Sequence, residues 1–336
     1  MSRIAIDSMG GDHAPGALVE GAVLAARETR SELILVGDKK RVERELSKFG
    51  DKPENLSIQH CSEYVEMGES PVTALRSKKD SSILVGMRII KSDEADAIVT
   101  AGNTGAATVA SKTVLHTLEG VDRPAIAASI LNPTGYTVFL DVGANVDSKP
   151  RHLLQFAVMG SVYARVILGV ENPSVGLLSV GAEESKGNEL TKAAYKLFEE
   201  KRERLNFIGN VEGGDLFTGK VNVVVCDGFT GNIVLKSGEA LAASFARLVR
   251  REFSGDIASR LGGIFTHGAL VRLKKKIDYS EHGAAPLLGV QGGVLICHGH
   301  SSQKAVKNAI FAAEKALSRN LNAHIVTSLK ELNGTG

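Results

Sequence analysis

One repeated feature constrains this chain more than any other: short apolar runs that stop abruptly on polar turns bearing glycine. They occur at Arg3–Asp7 before Ser8-Met9-Gly10-Gly11-Asp12-His13, at 33–36 before Gly37-Asp38, and at Ala97–Thr100 before Ala101-Gly102-Asn103-Thr104-Gly105. The pattern returns at 138–140 before Asp141-Val142-Gly143-Ala144-Asn145, at 175–180 before Gly181, at 221–226 before Asp227-Gly228, and at 294–297 before His298-Gly299-His300. The runs are continuous rather than alternating, which predicts strands buried on both faces and a mainly parallel sheet. Helix-length stretches at 16–29, 81–92 and 186–202 separate them. This β-then-α rhythm predicts a layered α/β fold with right-handed crossovers, and ligands in such folds gather at the carboxyl ends of the strands.

The rhythm fails between Glu239 and about Lys276, where Leu241, Phe245, Leu248 and Val249 fall at helical spacing and Gly262-Gly263 interrupts a second apolar stretch. A helical hairpin over 239–277, projecting from a single α/β domain spanning 1–336, is the expectation. Its polar surface carries Arg247, Arg250, Arg251, Arg260, Arg272, Lys274, Lys275 and Lys276, and its tip would expose Ile264 and Phe265. A basic surface with an apolar tip suits an acidic protein or an anionic lipid surface.

Composition removes several classes. Glycine makes up 36 of 336 residues, far short of the one-third that collagen needs. With 43% hydrophobic residues and a net charge of +2, bulk disorder is excluded, and no field attracts nucleic acid. Cys61, Cys226 and Cys297 are odd in number and form no C-x-x-C, so neither a disulfide scaffold nor a zinc site is expected. No signal-peptide pattern opens the chain, and no 18-residue apolar run occurs; a cytoplasmic protein able to lie on a membrane is the expectation.

The strand-end turns hold the candidate chemistry. Asp7, Gly10, Gly11, Asp12 and His13 form a glycine turn dense in hydrogen-bonding groups just before a helix, a setting that favours an anion. Gly102, Asn103, Thr104 and Gly105 read as a helix start capped by Asn103 or Thr104, offering N–H groups to an oxyanion or phosphate. Asp141 and Asn145 supply oxygen and amide groups at another exit, with Asp147 a candidate cap for the helix near Pro150. Lys186 enters a helix among carboxylates, as an anion clamp or proton donor, and Asn232 can polarise a carbonyl. Cys226 and Cys297 read as packing residues, and His298 and His300 as structural. Neither G-x-G-x-x-G, nor a P-loop, nor G-x-S-x-G is present.

These turns occur in the order found in one family. The five motifs, from Asp7-Ser8-Met9-Gly10-Gly11-Asp12-His13-Ala14-Pro15 to Asp227-Gly228-Phe229-Thr230-Gly231-Asn232, closely resemble those of the bacterial phosphate acyltransferases, acyl-[acyl carrier protein]:phosphate transacylases of phospholipid synthesis. The resemblance runs from Arg3 to about Leu329, with Ser8 standing where alanine is expected. It implies a three-layer α/β/α sandwich similar to isocitrate/isopropylmalate dehydrogenases and to phosphotransacetylase, a peripherally membrane-attached homodimer, and no nicotinamide cofactor. The implied partners are acyl carrier protein, inorganic phosphate and, downstream, a glycerol-3-phosphate acyltransferase at the membrane. It also implies catalytic roles for Lys186 and Asn232. Two rival readings remain open: a short-chain phosphotransacetylase using coenzyme A thioesters, and a non-catalytic membrane scaffold.

Overall fold

The computed structural model describes residues 1–253, 262, 265, 266, 268, 271 and 283–334. Its strands are β1 (Arg3–Asp7), β2 (Glu32–Gly37), β3 (Leu56–His60), β4 (Ala97–Thr100), β5 (Ala125–Asn132), β6 (Gly135–Leu140), β7 (Val175–Leu178), β8 (Phe207–Val211), β9 (Val223–Val225), β10 (Ala285–Leu288) and β11 (Gly293–Ile296). They form one sheet in the order β3-β2-β1-β4-β11-β10-β5-β6-β9-β7-β8. Most neighbouring pairs are parallel. The exceptions are consecutive: β11 with β10, β10 with β5, and β5 with β6 are antiparallel. Three reversals in a row leave β6, β9, β7 and β8 running in the opposite sense to β1, β4 and β11, so the sheet has two wings, each with its own carboxyl ends.

Because side chains alternate along a strand, each wing buries two faces. In the first wing Ile4, Ile6, Ala97, Val99, Leu295 and Cys297 point to one core, while Ala5, Ile98, Val294 and Ile296 point to another. The first core is closed by α1 (Gly16–Ala26), which supplies Leu18, Val19 and Val23. The opposite face is covered by Ile83, Met87 and Ile90 of α4 (Ser82–Lys91) and by Ala106, Ala107 and Ala110 of α5 (Thr104–Ala110), with α2 (Lys39–Leu46) and α3 (Pro71–Ser77) preceding them in the chain.

In the second wing Val138, Leu140, Val223, Val225 and Leu177 pack with Leu153, Phe156 and Met159 of α6 (Pro150–Tyr163) and with Ala194 and Phe198 of α7 (Glu189–Glu199). After α8 (Arg202–Leu205), the long α9 (Gly228–Phe253) lays Val234 and Leu235 on the other face, beside Phe139 and Val224. Helix α10 (Gln303–Ser318) returns to the first core through Val306 and Ile310, and α11 (Leu321–Asn333) closes the second through Ile325 and Leu329. Helices on both faces of a mostly parallel sheet make the three-layer α/β/α arrangement.

Two local expectations change. Helix α9 does not begin at Glu239 but runs unbroken from Gly228, because Asp227 caps it: Oδ1 accepts from Thr230 N–H at 2.9 Å and Oδ2 from the Thr230 hydroxyl at 2.7 Å. The apolar residues on its outer part, Leu241, Phe245 and Leu248, stay exposed, as does Phe265 beyond it. The N-cap of α6 is Lys149 rather than Asp147, with Lys149 N–H donating to His152 Nδ1 at 3.1 Å. Of the hairpin residues, Arg260, Ile264, Arg272, Lys274, Lys275 and Lys276 lie outside the described residues. No helix among the described residues is long and apolar enough to cross a membrane.

Candidate active site

At the first-wing strand ends, glycine lets three loops meet. A Cβ on Gly10 would stand 2.6 Å from Asp7 Oδ2 and 2.7 Å from Gly102 N, which no side chain permits. Asp7 is buried beneath them, its Oδ2 accepting from the Thr100 hydroxyl at 2.7 Å and its Oδ1 from Met9 N–H at 3.3 Å. Burial raises its carboxyl above the ordinary carboxylate value, against hydrogen bonds from Ser82, Thr100, Met9 and Gly10 that favour the charge. Asp12 N–H donates to Gly299 O at 2.9 Å, and the Asp12 carboxylate contacts His300 Nδ1.

The helix start at 102–105 is partly used by the protein itself. Asn103 Oδ1 caps α5 through Ala106 N–H at 3.0 Å, while its Nδ2 donates to the carbonyls of Met67 and Glu69 at 3.0 and 3.1 Å. Gly102 N–H donates to Thr100 Oγ1 at 3.1 Å, and Gly105 leaves room for Pro71. What remains for a ligand is the exposed Thr104 and the first-turn amides of Thr104 and Gly105, which have no partner within the helix.

The second wing builds a different loop around Asp141, which is fully buried. Its Oδ1 accepts from the N–H groups of Ile126 (3.0 Å), Gly143 (3.1 Å) and Ala144 (3.0 Å). Its Oδ2 accepts from Asn145 N–H at 2.7 Å and Asn145 Nδ2 at 2.8 Å. Burial again raises the carboxyl against these bonds. Helix α9 docks on the same loop: a Cβ on Gly231 would lie 1.9 Å from Asp141 O, and one on Gly228 2.5 Å from Asn145 O. That docking sets Asn232 against Gly143, whose φ of 143° is open to glycine alone, with Asn232 Oδ1 3.6 Å from where a Cβ would be.

Lys186 sits in the neighbouring turn after β7. Its N–H donates to Glu183 O at 3.0 Å, and Asn210 Nδ2 holds the same carbonyl at 2.9 Å. Gly187 follows at φ 104°, and Asn188 caps α7 through Thr191 N–H at 2.9 Å. Lys186 itself is exposed.

The structure therefore brings Asp7, Gly10 and Gly102 together, Gly11, Asp12 and His13 with the 298–300 loop, and Asp141, Gly143, Asn145 and Asn232 in the other wing. Among the described residues no hydrogen bond or ion pair joins the first-wing loops to Lys186 or Asn232. A single apolar cluster nonetheless includes Ala106 and Ala107 of α5 together with Val142, Cys226 and the α9 residues Val234 and Leu235. Asp7, Asp141 and Asn145, expected from the sequence to meet substrate, are buried, and their hydrogen bonds run to the protein's own loops. His300, read from sequence as structural, is the partner of Asp12; no local signal in Cys297-His298-Gly299-His300 could reveal a partner so far back in the chain.

The cysteines offer no nucleophile. Burial pushes Cys61 and Cys297 up to about 12 and Cys226 well above its ordinary value, so none carries useful thiolate at neutral pH. Among the described residues no group of three or more His, Cys, Asp or Glu side chains is arranged to hold a metal ion.

The sequence pattern of the fatty acid synthesis protein family matches residues 2–324. The chain belongs to that family. The phosphate acyltransferase of Geotalea daltonii is 49% identical over 329 residues, covering 98% of this chain and 94% of that protein. The phosphate acyltransferase of Pelotomaculum thermopropionicum is 48% identical over 336 residues, covering 99% and 97%. With these relatives, the family member described here is an acyltransferase. A solved phosphotransacetylase from Streptococcus pyogenes superposes with a TM-score of 0.64 at 19% identity, covering 94% of each chain, and the EutD phosphotransacetylase from Staphylococcus aureus with 0.58 at 18%, again covering 94% of each. At such identities the likeness is one of fold, and it matches the three-layer architecture.

Proposed function

We propose that this acyltransferase moves a long-chain fatty acyl group from the thioester of acyl carrier protein to inorganic phosphate, releasing acyl phosphate for phospholipid synthesis. The observation that carries the reading is the second-wing pair of exits, where Asn232 is seated on the Asp141 loop by glycine contacts and Lys186 stands on the adjacent turn. A phosphate oxygen attacks the thioester carbon, and Asn232 Nδ2 donates to the oxygen as it gains charge. The C–S bond then breaks, and the departing thiolate takes a proton from the Lys186 ammonium. With all three cysteines buried and protonated, the attack is direct and forms no acyl-enzyme through a thiol. Phosphate is held by Thr104, Gly105 and the loop of Gly10, Gly11, Asp12 and His13, without a cofactor.

The exposed outer part of α9 supports a protein thioester over coenzyme A: Arg247, Arg250 and Arg251 share it with Leu241, Phe245 and Leu248. Basic groups there suit an acidic carrier protein, and the apolar ones suit a membrane surface or a second copy in a homodimer. Peripheral attachment would deliver acyl phosphate to a glycerol-3-phosphate acyltransferase in the bilayer. The short-chain phosphotransacetylase reading has the fold likeness on its side.

The test is acyl phosphate formation by purified protein with long-chain acyl carrier protein and phosphate, against acetyl-coenzyme A as the rival donor. Lys186→Ala and Asn232→Ala should each lower kcat by about a hundredfold with folding intact. Near-native turnover in both removes the assignment, and efficient transfer from acetyl-coenzyme A alone favours the rival.

A further inference from the structure

The three neighbouring parallel strands β1, β4 and β11 run out into Ser8-Met9-Gly10-Gly11-Asp12-His13-Ala14-Pro15, Ala101-Gly102-Asn103-Thr104-Gly105 and Cys297-His298-Gly299-His300-Ser301-Ser302-Gln303. None of these stretches contains a lysine or an arginine. Within these stretches an anion meets backbone N–H groups, small polar side chains and imidazoles as donors. Three imidazoles are gathered here: the His300 ring centroid lies 5.5 Å from that of His298 and 6.3 Å from that of His13.

Backbone contacts fix the grouping. Besides the bond from Asp12 N–H to Gly299 O, Ser301 N–H donates to His298 O at 2.9 Å and His300 N–H to His298 Nδ1 at 3.3 Å. A Cβ on Gly299 would stand 2.8 Å from Met67 Cε and 3.0 Å from Asp12 Oδ2, and Gly11, at φ 96°, is pressed between the carbonyls of Ala101 and Gly299. One member is out of place in an anion site. The Asp12 carboxylate would repel the ligand, unless the His300 Nδ1 that contacts it carries the compensating proton.

We propose that His298 and His300 complete the phosphate site at the first-wing strand ends. His13 and His298 donate to the anion, and His300 is a positioning residue that neutralises Asp12. The inference rests on the reading of the 10–13 loop as phosphate-binding and adds the β11 exit to it.

The experiment compares phosphate KM, carrier-protein KM and kcat in His298→Gln, His300→Gln and the double variant Asp12→Asn/His300→Gln, with calorimetric titration of inorganic phosphate into the same proteins. His298→Gln should raise phosphate KM about tenfold, the loss of one hydrogen bond to a charged group, His300→Gln should raise it by a similar factor because the Asp12 charge is left facing the anion, and both should leave carrier-protein KM unchanged. Adding Asp12→Asn to His300→Gln should recover most of that loss, because the repelling charge goes with its partner. A double variant no better than the single one makes His300 a mere tether and overturns its role. Phosphate KM and affinity within twofold of the parent in both single variants overturn the site while leaving acyl transfer intact. Should the parent make no acyl phosphate, weakened phosphate binding in His298→Gln still upholds the site, and the functional reading alone falls.

Discussion

Asp7 and Asp141 hold matching places in the two wings: each is buried at the carboxyl end of a central strand and organises the glycine loop that follows. They do it differently. Asp141 gathers five donors, four of them from its own stretch of Gly143, Ala144 and Asn145, so its loop is held from within by one carboxylate. Asp7 receives two donors from its own loop, Met9 and Gly10, and two from other elements, Thr100 and Ser82, and its loop is further held by backbones pressed together at Gly10, Gly102, Gly11 and Gly299. The lesson concerns autonomy. The Asp141 loop carries most of its bonds within itself and α9 rests on it, whereas the Asp7 loop leans more on β4 and the β11 exit beside it.

That contrast can be broken experimentally. Asp141→Asn should be the most damaging change, about 3 kcal/mol in urea unfolding, because an amide nitrogen would face backbone donors; Asp7→Asn should cost about 1 kcal/mol, and equal losses would erase the distinction. Gly231→Ala should follow, at about 2 kcal/mol from overpacking against Asp141 O, and should also lower kcat by displacing Asn232. Stability loss with unchanged kcat would separate the seat from the chemistry. Thr100→Val should cost about 1 kcal/mol and be felt only in the first wing, a localisation that hydrogen exchange can read.

The smallest effect is one of pH. Burial raises both carboxyls above the value of about 3.9 in an unfolded chain, so each contributes stability that is fully present below that value and lost as pH rises through its higher native value. Asp7→Asn should remove its share of that decline, and Thr100→Val should shift it to higher pH. Urea midpoints measured across acidic pH would contradict this if all three proteins gave parallel curves.

Much of this was legible in the sequence, because burial on both faces writes continuous apolar runs. β1, β4, β7, β9 and β11 each end where such a run meets a glycine turn. The antiparallel centre was not. β5 is rich in small residues, Ala125-Ile126-Ala127-Ala128-Ser129, and β10 is four residues long with Pro286 inside it, so neither announces a strand. The start of α9 was hidden for a related reason. Gly228 and Gly231 are poor helix formers and read as a turn, yet their missing side chains are what lets the helix rest on the Asp141 loop. The loop motifs showed in sequence as local clusters of polar groups; that Asp7 and Asp141 face inward, and that Asp12 meets His300, depends on contacts across the sheet that no local pattern records.

The contact between Gly231 and the Asp141 carbonyl also has a mechanical side. From Gly231 to Phe253 the helix extends about 33 Å as a single rod. A rod pivoted near one end is geared: a swing that carries the outer arginines and exposed leucines through several ångströms shifts Asn232, one residue from the pivot, by only a small fraction of one. Whatever settles on the far end of α9 can pull it about without detuning the amide that would meet the thioester carbonyl. The arm can be compliant while the chemistry stays in register.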